Sequence, residues 1–258
     1  MSYARERSAP YKPGQETAFK ISRSKIELFT QCPRCFWLDA RLKIKRPSGP
    51  PFQINKAIDE LFKKEFDSYR LQAKPHPIMT EFGVSAVPFT HADLDNWRQN
   101  FIGVSTLHEP TNLQVSGAID DVWVNNQKEL MVVDYKATAK QSDVTLDADW
   151  QMSYKRQLEV YQWLLRQNDF KVSDTGYFVY ANGRLDADGF NNRVEFRTKI
   201  IPYTGSDTWI EPTLIKMKAC LEGDMPAVGK AAMGGSCDFC AYAKARTELT
   251  LKALKPHN

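Results

Sequence analysis

The chain is expected to fold as a mixed α/β domain in which helices flank one central sheet. Apolar residues recur at helical spacing over 54–70 and again over 149–168. Between and after those windows lie β-branched and aromatic runs, at 113–138 and 175–203, punctuated by turn residues. An order of helix, hairpin, helix, strands, helix is that of a sheet layered with helices.

Taken in chain order, residues 1–20 carry charge, Pro and Gly without an apolar period and are expected as a loose tail. Ser22 or Ser24 can cap a short helix through Ile26, Leu28 and Phe29, and Phe36, Trp37 and Leu38 continue the apolar run after CPRC. RPSGPP at 46–51 breaks it. INKAIDELFKKEFDSYR (54–70) sets Ile54, Ala57, Ile58, Leu61, Phe62 and Phe66 on one stripe, with Lys63, Lys64 and Glu65 on the wet side. Prolines make Lys74–Pro88 a loop, and 91–101 is a further short helix. LQVSGAIDDVWV (113–124) and ELMVVDYKAT (129–138) form a β-hairpin around NNQK. Residues 149–168 form a long helix. TGYFVYANGR (175–184) is a strand ending in an Asn-Gly turn, and 192–203 is its partner. A helix over 211–223 precedes the closing segment, with the domain expected to span 21–246 and a tail to follow at 247–258.

A net charge of +4 and a pI near 8.7 are compatible with a polyanionic partner without arguing for one. No apolar run reaches the ~18 residues that span a bilayer. The opening MSYARERSAPYKPGQ has no secretory apolar stretch, so a cytoplasmic protein without a membrane partner is expected. Walker A, helicase and G-x-S-x-G patterns are absent, which excludes an ATP motor and an elbow-type serine hydrolase.

The chemistry concentrates in Asp120, Asp134 and Lys136. Strand alternation sends Asp134 and Lys136 to one face and Val133 and Tyr135 to the other. Two carboxylates from neighbouring strands can hold Mg²⁺ or Mn²⁺, which prefer oxygen ligands. The lysine can then orient a water or meet charge on a phosphate. Gln157 and Tyr161, four residues apart, share a helix face. Four of the five cysteines form two C-x-x-C pairs, Cys32/Cys35 and Cys237/Cys240, a pattern that suits a metal centre.

The succession G-x-x-D (Gly117 to Asp120), V-V-D-Y-K (132–136) and Q-x-x-x-Y (Gln157 to Tyr161) resembles the PD-(D/E)XK nuclease superfamily, in its RecB/AddB/Cas4-like branch. The resemblance implies a restriction-endonuclease-like core. It also implies metal ligation by Asp120, Asp134 and the carbonyl of Tyr135, a catalytic Lys136, and Gln157 and Tyr161 near the active site. Asp121 competes with Asp120, but the spacing from Gly117 favours Asp120. Where relatives carry a histidine on the first long helix, this chain has Asp59, with Glu60 one position on. Several relatives tie the domain ends with a [4Fe–4S] cluster. Cys32, Cys237 and Cys240 match that pattern, but position 246 is Arg. Cys35 is the substitute ligand and Cys220 a weaker one, and Zn²⁺ suits the four thiols as well as a cluster. The implied activity is hydrolysis of DNA phosphodiesters, on single strands or ends, in repair, recombination or defence, with any unwinding left to a helicase or other partner. The alternative is a catalytically silent nuclease-like module that binds nucleic acid or protein.

Overall fold

The computed structural model describes residues 9–49, 53–230 and 235–254. The chain forms β1 (Phe19–Ser22), α1 (Arg23–Gln31), α2 (Pro33–Leu42), α3 (Gln53–Arg70), α4 (Pro77–Glu81), β2 (Ala86–Pro88) and α5 (Leu94–Trp97). It continues through β3 (Val104–His108), β4 (Leu113–Gly117), β5 (Asp121–Asn125), β6 (Leu130–Thr138), α6 (Met152–Arg166), β7 (Thr175–Gly183), β8 (Phe196–Thr204), α7 (Ile210–Glu222) and α8 (Asp238–Ala253). The mixed α/β class is as expected. The described residues fall into two compact units, one lying within 1–49, 107–114 and 211–258 and the other within 50–106 and 115–210.

The second unit carries a five-stranded sheet in the order β2-β5-β6-β7-β8. β6 and β7 are parallel and the other neighbours antiparallel. A parallel pair needs a crossover, and α6 supplies it. One sheet face buries Trp123, Met131, Val133, Tyr135 and Val179 with Phe66 of α3 and Met79 of α4. Burying Phe66 alone is worth about 1.5–3 kcal/mol.

Several expectations are corrected. The strand foreseen over 113–124 is two strands, β4 and β5, which lie in different sheets. Between them the Ile119 N–H donates to the Trp97 carbonyl at 2.9 Å, and Arg98 Nε donates to the Asp120 carbonyl at 3.1 Å. These bonds satisfy the backbone outside a ladder, so the chain can change sheets there. Asn182 and Gly183 make no turn. They continue β7, paired with Arg197 and Phe196, while the Asn182 amide bonds both backbone groups of Lys140. The segment from Lys74 to Pro88 contains α4 and the edge strand β2. On α3 the buried side is set by Phe66 and Arg70, with Phe62 and Lys63 half-buried, while Ile54 and Leu61 are exposed.

In the first unit, Tyr11 is buried within the expected tail, and α8 continues to Ala253 beyond the expected boundary at 247. Residues 1–8 and 255–258 of the two tails, and Pro50 and Pro51 of the breaker, lie outside the described residues.

Candidate active site and metal centre

The run Leu130–Val133 buries β6 before the strand ends in Asp134, Tyr135 and Lys136. Alternation holds there. Tyr135 stacks on Phe62 at 5.0 Å between centroids, and on the opposite face Lys136 pairs with Asp134. Asp134 is wholly buried and its Oδ1 accepts no hydrogen bond. A buried carboxylate oxygen in that condition is costly unless a cation completes it.

Asp120 sits at the end of the bend between β4 and β5. Its Oδ2 accepts the Tyr135 N–H at 3.0 Å, which brings it beside Asp134. Some of its surface still reaches solvent, yet it is deep among protein atoms. Burial, then Asp134, push its carboxyl up to about 7, with Asp59 adding to the push and Lys136 and Lys63 opposing it. Burial alone would depress the Lys136 ammonium, but Asp134 and Asp120 outweigh it and raise its pKa. From α3, Asp59 Oδ2 accepts from Lys63 Nζ at 2.7 Å, while its buried Oδ1 has no partner. Glu60 is exposed.

Asp121 faces the other way. It accepts from Arg70 Nη2 at 2.5 Å, Arg98 Nη2 at 3.0 Å, the Val122 N–H at 2.9 Å and Tyr135 Oη at 2.7 Å. Its carboxylate is saturated by these four donors.

On α6, Gln157 Nε2 donates to Tyr161 Oη at 3.1 Å, as their spacing requires. Tyr161 is buried against Gly117 and acts on Lys136 electrostatically. Sequence reasoning missed two neighbours of Lys136. Tyr154 lies under its ammonium at 4.6 Å from the ring centroid. Tyr180, the register partner of Lys136 on β7, buries a hydroxyl that makes no hydrogen bond of normal geometry, although the Gln151 amide lies alongside. It also put Lys63 on the wet side, although its spacing from Asp59 is that of a helical ion pair.

The cysteines lie in the first unit, and the two C-x-x-C pairs are used alike. Cys32 and Cys237 occupy the N-cap positions of α2 and α8, and Cys35 and Cys240 fall in the first turns. Helix N-termini favour thiolates. The sulfurs of Cys32 and Cys240 are 3.9 Å apart, those of Cys35 and Cys237 3.8 Å, and those of Cys35 and Cys240 3.6 Å. Among the described residues, this is the only group of three or more His, Cys, Asp or Glu whose ligand atoms all lie within 4.8 Å of one another. The three aspartates do not close that tightly. The Gly229 N–H donates to Cys32 Sγ at 3.2 Å, and Arg46 Nη2 to Cys237 Sγ at 3.4 Å. Burial opposes ionisation of Cys32, but N–H donors from Cys35 and Gly229 and the neighbouring thiols draw it down to about 7. Cys220 is outside the group, with its sulfur 4.0 Å from the Pro33 carbonyl. Three of the four basic residues at 41–46 have internal partners. Arg41 bonds the Leu221 carbonyl, Lys43 lies over Phe19, and Arg46 lies over Phe239.

A family model for the PD-(D/E)XK nuclease superfamily matches residues 53–245. No curated protein matches significantly. Among solved structures, one described as "Crystal structure of SSO0001" aligns with 83% of this chain and 81% of its own length, at 12% identity and a TM-score of 0.33. No helix among the described residues is long and apolar enough to cross a membrane.

Proposed function

Because the chain belongs to the PD-(D/E)XK nuclease superfamily, we propose that it hydrolyses DNA phosphodiester bonds with a divalent metal at Asp120, Asp134 and Lys136. The observation that carries this reading is Asp134. It is wholly buried, paired with Lys136, adjacent to Asp120, and left with an oxygen that no donor fills.

Asp120, Asp134 and the carbonyl of Tyr135 would hold Mg²⁺ or Mn²⁺, with Asp59 as a further oxygen ligand. The spare oxygens of Asp134 and Asp59, and the raised Asp120 carboxyl, fit a site designed for a cation. The bound ion supplies positive charge at the scissile phosphate. Lys136 stays an ammonium between two carboxylates. It therefore donates hydrogen bonds, orienting the attacking water or meeting charge that develops on the phosphate. Gln157 and Tyr161 steady the wall beside it.

The finer reading is a RecB/Cas4-like exonuclease acting on single-stranded DNA or DNA ends in repair, recombination or defence. The order of the three motifs supports the branch. The absence of motor motifs leaves unwinding to a helicase or other partner. For the cysteines, three sulfur separations of 3.6 to 3.9 Å, in a group that lies wholly within 4.8 Å, support one tetrahedral Zn²⁺ over a [4Fe–4S] cluster. A Zn–S bond of about 2.3 Å sets a tetrahedral edge of about 3.8 Å, whereas four iron vertices spread the sulfurs farther.

The test is cleavage of end-labelled single- and double-stranded DNA with Mg²⁺ or Mn²⁺ added. Lys136→Ala should lower turnover by about 100-fold or more and leave binding intact. Equal cleavage by wild type and variant would end the reading.

A further inference from the structure

A row of side chains runs outward from Lys136 and alternates in character. The Lys136 ammonium lies 4.6 Å from the centroid of Tyr154. Tyr154 meets Trp150 edge to face at 5.4 Å, with an interplanar angle of 83°. Lys140 lies 5.4 Å from the Trp150 centroid. Large aromatic side chains are normally mostly covered, as Phe178 and Tyr180 of β7 are. Trp150 keeps 50% of its surface in solvent.

The segment that presents it is nonetheless held from below. Gln151, the next residue, is buried. Its Nε2 donates to the Thr145 carbonyl at 2.6 Å, and its Oε1 accepts the Ala148 N–H at 3.0 Å. Lys140 is held in the same manner by the Asn182 amide. Among the described residues no carboxylate pairs with Lys140, so its charge is available to an outside anion. An exposed indole on a fixed support, with a free ammonium at its side, is matched by a flat apolar base bonded to a phosphate.

We propose that Trp150 and Tyr154, interleaved with Lys140 and Lys136, form a stacking platform for an unpaired nucleobase of the substrate strand. The neighbouring phosphate is directed along the row toward Asp134. This rests on the nuclease reading and adds to it a reason for preferring unpaired strands. A base can lie flat on an indole only after it has left its own stack, and duplex DNA keeps its bases stacked. Ordering of the platform before binding removes part of the entropy that a mobile tryptophan would lose.

The test is fluorescence anisotropy with a labelled oligothymidylate, in buffer without added divalent ions so that nothing is cut. Trp150→Ala should weaken binding roughly tenfold or more, the effect of losing one stacked base, and Trp150→Phe should restore most of it. Duplex DNA of equal length, and an abasic sugar–phosphate chain, should bind wild type and Trp150→Ala alike. Single-strand affinity unchanged by Trp150→Ala would overturn the platform. So would an equal loss for the abasic chain, which would mark a change of fold or charge instead of lost stacking. Cleavage is measured in parallel with Mg²⁺. Trp150-dependent binding with no cleavage removes the nuclease reading and keeps the platform. Cleavage with Trp150-independent binding does the reverse.

Discussion

Gly117 and Tyr161 occupy adjoining space that leaves no room for a side chain on residue 117. A Cβ there would lie 2.6 Å from Tyr161 Cε1 and 3.0 Å from its Cδ1. The glycine of G-x-x-D and the tyrosine of Q-x-x-x-Y, distant in sequence, are thus one packing unit. Gly117 admits the ring, the ring bonds Gln157, and both stand beside the bend that delivers Asp120.

Gly117→Ala should therefore cost about 1–3 kcal/mol by overpacking and slow cleavage. Adding Tyr161→Ala should recover part of the stability, because the added methyl gains the space the ring has left. Chemical denaturation of the four proteins of this cycle measures the coupling. Strict additivity would show that the two residues do not press on each other.

Asp120 and Asp121 should separate cleanly. Asp121 is buried and shares Arg70 and Arg98 with Asp67, so Asp121→Ala leaves both arginines one carboxylate short and the buried Tyr135 hydroxyl without its acceptor, and should cost about 1–3 kcal/mol. Asp120→Asn removes a charge that burial and Asp134 both disfavour. Without divalent ions its melting temperature should match or exceed that of wild type, while cleavage is lost. If the two melting temperatures move in the opposite sense, the assignment is reversed.

Metal analysis should find about one zinc ion per chain, and a strong chelator should lower the melting temperature. A structural Cys₄ site contributes about 10–16 kcal/mol of apparent binding energy. Cys237→Ser should release the metal and destabilise the chain, whereas Cys220→Ser should do neither. A metal-free protein that melts at the same temperature as Cys237→Ser would show that the thiols hold nothing.

Glu222 offers a pH test. Lys218 and Tyr11 hydrogen-bond its carboxylate, with the Gly14 N–H adding to it, and together they draw its pKa down to about 2. A depressed folded-state value stabilises the fold above the unfolded value of about 4.3. That contribution fades as pH falls through about 2. Glu222→Gln should lower stability at pH 7 by less than about 1 kcal/mol, since the group is partly exposed. The difference should disappear only as the pH is taken below about 2. A variant penalty that persists in acid would place its cause elsewhere.

Local periodicity settled much of this protein before any contact was known. A period of two in β6 puts Asp134 and Lys136 on one face and Tyr135 on the other, and a step of four joins Gln157 to Tyr161. C-x-x-C just ahead of a helix puts one cysteine at the N-cap and the next within the first turn. These relations depend only on backbone geometry within a single element. The remainder was decided through space. The bend after Gly117 interrupts alternation, so only the arginines on one side could show that Asp121 is saturated and Asp120 is not. Cys35 displaces Cys220 from the sulfur group because two helix starts converge. Trp150 stands open because a buried glutamine beside it holds the loop, which no pattern along the chain announces.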